Sequence, residues 1–107
     1  MRRVVSDVGR ATWVSDVLKA VAHPVRLGIV AVLCEGEANV GTLARLLRQP
    51  PAIVSQQLRI LRMHHLVAAE RRGGRSIYSL LEPQLRQLVS CMEHCAGPLE
   101  RRPGGRP

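Results

Sequence analysis

Asn39-Val40-Gly41-Thr42-Leu43-Ala44-Arg45-Leu46-Leu47-Arg48-Gln49-Pro50-Pro51-Ala52-Ile53-Val54-Ser55-Gln56-Gln57-Leu58-Arg59-Ile60-Leu61-Arg62 is the stretch that decides the fold. Asn39 is a good N-cap, and Val40, Leu43, Ala44 and Leu47 follow at i, i+3, i+4 and i+7, one face of a short helix. Arg48-Gln49-Pro50-Pro51 breaks that periodicity. A second helix then turns Val54, Leu58 and Leu61 inward and Ala52, Ser55, Gln56, Arg59 and Arg62 outward. Two short helices across a four-residue break, the second with a polar and basic outer face, form a helix-turn-helix pattern.

On the N-terminal side, Val14, Val17, Leu18 and Val21 repeat at helical spacing and predict an amphipathic first helix. Pro24 suits the first turn of a second helix, with Val25, Ile29, Val32 and Leu33 inward and Gly36 placed to end it. On the C-terminal side, Val67–Arg71 and Ser76–Leu80 read as strands. Arg72-Gly73-Gly74-Arg75 joins them, and the two glycines supply the positive φ angles of a tight hairpin. A last helix is expected from about Pro83 to Ala96, with Leu85, Leu88, Val89 and Met92 on one side. The predicted fold is mainly α with a β-hairpin: a dimeric winged helix-turn-helix of about five helices plus a two-stranded wing. Residues 11–96 would form this domain, between a flexible N-terminal segment (1–10) and a disordered basic tail (97–107).

Composition narrows the function. The 107 residues carry a net charge of +8, from 16 Lys+Arg against 8 Asp+Glu, and every basic residue except Lys19 is arginine. A planar guanidinium matches phosphates and guanine edges in a way that an ammonium does not. A small basic domain points to nucleic acid before an anionic membrane surface. So short a chain has a marginal core and gains from a partner subunit. With no Phe, that core must be aliphatic. The N-terminus lacks an apolar signal region, and no apolar run is long enough to span a bilayer, so a cytoplasmic protein without membrane contact is expected. Three cysteines without an export signal argue for thiols rather than a disulfide scaffold.

No Gly-rich phosphate loop, nucleophile elbow or paired carboxylates occur, and an enzyme is not expected. Cys91 and Cys95 are spaced Cys-x-x-x-Cys on a helix, not the Cys-x-x-Cys of a thiol oxidoreductase. An RNA-binding winged helix would prefer exposed aromatics, and only Trp13 and Tyr78 are present. A pure interaction module would not need the contact chemistry this chain carries. Double-stranded DNA is therefore the expected partner. Ser55, Gln56, Gln57 and Arg59, flanked by Ala52 and Arg62, are predicted to face the major groove, where Gln pairs with adenine and Arg with guanine. Arg71, Arg72 and Arg75 on the wing suit phosphate or minor-groove contact.

Three stretches resemble the ArsR/SmtB family of metal- and stress-responsive repressors. Leu18-Lys19-Ala20-Val21-Ala22-His23-Pro24-Val25-Arg26-Leu27 is similar to its opening signature, Val54-Ser55-Gln56-Gln57-Leu58-Arg59-Ile60-Leu61-Arg62 to its recognition helix, and Leu66-Val67 through Arg75-Ser76-Ile77-Tyr78 to its wing. The resemblance covers about residues 13–95. It implies a homodimer, built on the first and last helices, bound to an inverted-repeat operator. The chain departs from the family at Arg48-Gln49-Pro50-Pro51, where many relatives carry Gly and small polar residues.

The resemblance also implies a sensing site. Of its usual metal sites, one would need cysteines where Asn39 and Gly41 stand. The other keeps Glu82 but has Gln84 in place of a His, and Pro98 at its last position. What remains is Cys34 at the end of the second helix and Cys91 and Cys95 one turn apart on the last. Converging thiolates suit a soft metalloid or metal, As(III), Cd(II) or Hg(II), as an inducer, with no obligatory cofactor. Cys34 and Cys95 would also suit a reactive-sulfur or redox sensor. A third reading makes all three cysteines small core hydrophobes and the regulator constitutive.

Overall fold

A computed structural model describes residues 8–82 and 84–91 of the chain. Helix α1 spans Val8–Val21, so its first turn takes in residues read from the sequence as part of the N-terminal segment. Helix α2 spans Pro24–Glu35, the two-residue strand β1 Ala38–Asn39, helix α3 Val40–Leu47 and helix α4 Pro51–Met63. Strands β2 (Val67–Arg72) and β3 (Arg75–Leu80) follow. The terminal helix α5 covers 84–91 among the described residues.

Local chemistry sets these boundaries. His23 caps α2 by accepting the Val25 N–H on its Nδ1 at 3.2 Å, with Pro24 in the first turn. Asn39 caps α3 by accepting the Thr42 N–H at 2.8 Å. Helix α4 starts without a side-chain cap, on Pro50 and Pro51. Pro51 has no N–H to leave unsatisfied, and the Pro50 carbonyl accepts the Ile53 and Val54 N–H groups at 3.0 and 3.1 Å. Gly73 and Gly74, at φ 56° and 80°, close the hairpin as a two-residue turn. Arg72 and Arg75 pair across it, so both belong to the ladder rather than to a loop.

The sheet has three strands, not two. β1 pairs antiparallel with β3 (Ala38 opposite Tyr78, Asn39 opposite Ile77), giving the order β1-β3-β2. A two-residue strand has no alternation to betray it in the sequence. It roots the wing beside the start of α3.

Ile29, Val30, Leu33, Leu43, Val54, Leu58, Leu61, Leu66 and Leu85 are fully buried and join α2, α3, α4, the wing root and α5 in one aliphatic core. Each such leucine or isoleucine contributes about 1.5–3 kcal/mol of burial. Gly28 lets α3 come close: a Cβ there would meet a terminal methyl of Leu47 at 2.8 Å. The expected apolar stripe of α1 holds at Val21 and half-holds at Val17, but Leu18 is exposed, and so is Trp13 at 50%. Those two side chains leave apolar surface exposed on α1.

Candidate nucleic-acid interface

Helix α4 presents Ala52, Ser55, Gln56, Arg59 and Arg62 to solvent, one continuous outer row. Gln57 does not belong to it. It is 9% exposed and sits with Val54, Leu58 and Leu61 on the face that meets the core. Helical geometry compels this, because position 57 lies one turn from 54 and 61. Its Oε1 has no hydrogen-bond partner among the described residues. Reading Gln57 as a base contact followed its chemistry and overlooked its position.

The outer row leads into a cleft of about 490 Å³ between α4 and the wing. Ser55 comes from α4, Arg75, Ser76 and Tyr78 from β3, and Asn39, Val40 and Gly41 from the start of α3. Two of these, Ser55 and Arg75, are predicted contacts. Ser76 and Tyr78 went unnoticed in the sequence, since their place in the cleft depends on the β1–β3 pairing. The cleft offers three hydroxyls and a guanidinium, donors that match the oxygens of a phosphodiester.

The wing arginines divide. Arg71 and Arg75 are exposed and pair with no carboxylate among the described residues, as is true of Arg59 and Arg62. Arg72 is spoken for. Its Nη1 and Nη2 donate to the two Glu37 oxygens at 2.5 and 3.1 Å, and Nη2 also donates to Glu70 at 2.9 Å. The hydrogen bond from Arg72, reinforced by its charge, holds the Glu37 carboxyl below its ordinary value, and Glu70 likewise. The two carboxylates in turn hold the guanidinium even more firmly protonated. Arg72 thus differs from Arg71 and Arg75 in that two carboxylates already occupy its fork.

Of the candidate sensing residues, Cys34 is half-buried at the end of α2 and Cys91 is exposed on α5. Cys95 lies outside the described residues. Arg86 of α5 donates through Nη1 to the Cys34 carbonyl, so the end of α2 and the terminal helix meet there. Among the described residues, no three His, Cys, Asp or Glu side chains are grouped to hold a metal ion.

Comparison with known proteins agrees with this geometry. Residues 23–68 match the model of the bacterial regulatory protein, arsR family. The chain is 39% identical over 83 residues to a biofilm growth-associated repressor of Xylella fastidiosa, covering 78% of this chain and 73% of that one. The crystal structure of the transcriptional repressor BigR from Xylella fastidiosa superposes with a TM-score of 0.80 at 35% identity, over 89% of this chain and 95% of that one. A homodimeric winged helix-turn-helix DNA-binding domain from Mycobacterium bovis superposes with a TM-score of 0.72 at 28% identity, over 84% and 83% of the two chains.

Proposed function

Because this chain belongs to the ArsR family of bacterial regulatory proteins, we propose that it is a repressor that grips an inverted-repeat operator as a homodimer and lets go when a thiol-reactive inducer, arsenite or another soft metalloid, engages its cysteines. The observation that carries the DNA half is the outer row of α4 running into the cleft beside Arg75. Gln56 and Arg59 would read base edges, and Arg62, Arg71 and Arg75 would neutralise phosphates, with Ser55 free for either. One backbone phosphate would sit in the cleft, between Ser55 and the Arg75, Ser76 and Tyr78 side of the wing.

The homodimeric neighbour and the exposed Trp13 and Leu18 support a second copy on the α1 side. A two-fold dimer would set its recognition helices about 34 Å apart, one turn of the duplex. A repressor acting at such an operator would work in the cytoplasm.

Cys34 and Cys91, one on each of the helices bridged by Arg86, support a thiol trigger at that contact. Its coupling to DNA need be only about 1–3 kcal/mol to weaken binding five- to a hundredfold. The alternative is a reactive-sulfur or redox sensor, in which sulfane sulfur oxidises Cys34 and Cys95 to a bridge and is itself reduced to sulfide.

Fluorescence anisotropy of a duplex from the gene's own upstream region tests both halves. The reduced protein should bind that duplex well above a scrambled one, and arsenite should release it. Release by a persulfide donor and not by arsenite selects the sulfur reading. An inducer response that survives Cys34→Ser, Cys91→Ser and Cys95→Ser together sinks the thiol trigger. Equal affinity for both duplexes sinks the repressor.

A further inference from the structure

The wing is tethered to the body twice. Its root is held by the β1–β3 pairing at Tyr78 and Ile77. Nearer the tip, Arg72, the last residue of β2, is held by Glu37, which immediately precedes β1. The partners are 35 residues apart, and the fork-on-carboxylate geometry fixes orientation as well as distance. Glu37 lies just past the end of α2, and Cys34, in the last turn of that helix, accepts from Arg86 of α5 on its carbonyl. One four-residue stretch, Cys34 to Glu37, therefore receives an arginine from the wing at one end and an arginine from the terminal helix at the other.

We propose that Glu37 is a positioning residue for DNA recognition: through Arg72 it sets the attitude of the wing, and through the Cys34–Glu37 segment the terminal helix shares in setting it. This rests on the DNA-binding reading above. It assigns Arg72 the task of aiming Arg71 and Arg75, its neighbours on the hairpin, rather than touching DNA itself. The arrangement is suited to a regulator, because a movement of α5, whose Leu85 and Val89 pack in the core, also reaches the wing through two side-chain contacts.

The test uses the full chain with the upstream and scrambled duplexes. Glu37→Gln removes a negative charge and should leave non-specific affinity equal or higher. The ratio of specific to non-specific affinity should nevertheless fall about two- to fivefold, the range of well-made exposed pairs. The swap Glu37→Arg with Arg72→Glu keeps the total charge and rebuilds the pair with its ends exchanged, and it should restore the ratio. Arg86→Ala should lower the ratio as well, and combining it with Glu37→Gln should add little, because both act through one segment. An unchanged ratio in Glu37→Gln, or a swap that restores nothing, overturns the brace. Fully additive losses overturn the link to α5.

A measurement without DNA separates this from the parent reading. Backbone order parameters of Gly73 and Gly74 should drop in Glu37→Gln toward flexible values of about 0.6 and recover in the swap. If the wild type fails to distinguish the duplexes, the repressor reading fails, and the order parameters still decide whether Glu37 holds the wing.

Discussion

Gln56 and Gln57 are neighbours in sequence on α4, yet the first is exposed and the second is buried on the face of Val54, Leu58 and Leu61. Their substitutions should therefore separate binding from stability. A buried amide oxygen without a partner costs about 1–3 kcal/mol, and an apolar side chain of similar size removes that cost. Gln57→Leu should raise the free energy of unfolding by about 1 kcal/mol in urea titration and leave operator affinity unchanged. Gln56→Ala should do the reverse, weakening the upstream duplex by about 1–3 kcal/mol with no loss on a scrambled one.

The wing arginines should differ in how they respond to salt. Each phosphate contact releases about one counterion, so Arg71→Ala and Arg75→Ala should each reduce the slope of log affinity against log salt by about 1. Arg72→Ala should leave that slope nearly unchanged, because its fork is occupied by Glu37 and Glu70. A loss of slope in Arg72→Ala equal to that of Arg75→Ala would show the carboxylates giving way to phosphate.

Two helices end on left-handed residues that carry side chains. Leu66 N–H bonds the Leu61 carbonyl at 3.0 Å around His65 at φ 59°, and Gln49 N–H bonds the Ala44 carbonyl at 3.0 Å around Arg48 at φ 54°. These are the positions that glycine fills most cheaply. His65→Gly and Arg48→Gly should each stabilise the fold by about 0.5–1 kcal/mol, part of the left-handed penalty being offset by glycine's freer unfolded chain. A lower melting temperature for His65→Gly would mean that the imidazole makes a contact worth more than the strain.

Acid should release the wing late. Glu37 and Glu70 both titrate below the ordinary carboxyl value of 4.5 because Arg72 hydrogen-bonds and attracts their charged forms. A depressed folded value means that the bridges contribute fully above 4.5 and are lost as pH falls through the depressed values. Order parameters of Gly73 and Gly74 should accordingly stay level from neutral pH down to about 5 and fall only at more acid pH. A drop between pH 7 and 5 would show that the Glu37 and Glu70 bridges do not hold the wing.

Much of this molecule could be read without coordinates. Apolar residues at helical spacing fixed α2, α3 and α4, Asn39 and Pro24 marked their starts, and Gly73-Gly74 marked the turn of the wing. These are local signals, set by backbone geometry within a few residues. The burial of Gln57 was also legible from its spacing to Val54 and Leu61, though its polar chemistry pointed the other way. The exposure of Ser55, Gln56, Arg59 and Arg62 was legible because they fall opposite the apolar positions of α4.

The tertiary structure decided what depends on distant residues meeting. No pattern near residue 38 announces β1, since its pairing energy comes from β3, forty residues on. Nothing local ties Arg72 to Glu37, and only the folded wing separates three exposed arginines into one paired with carboxylates and two that pair with none among the described residues. The same holds for Arg86 reaching the end of α2, and for Leu18, whose helical spacing promised burial that a single chain does not provide. Sequence determines which faces are apolar and which basic; three-dimensional packing determines which of those faces already have a partner.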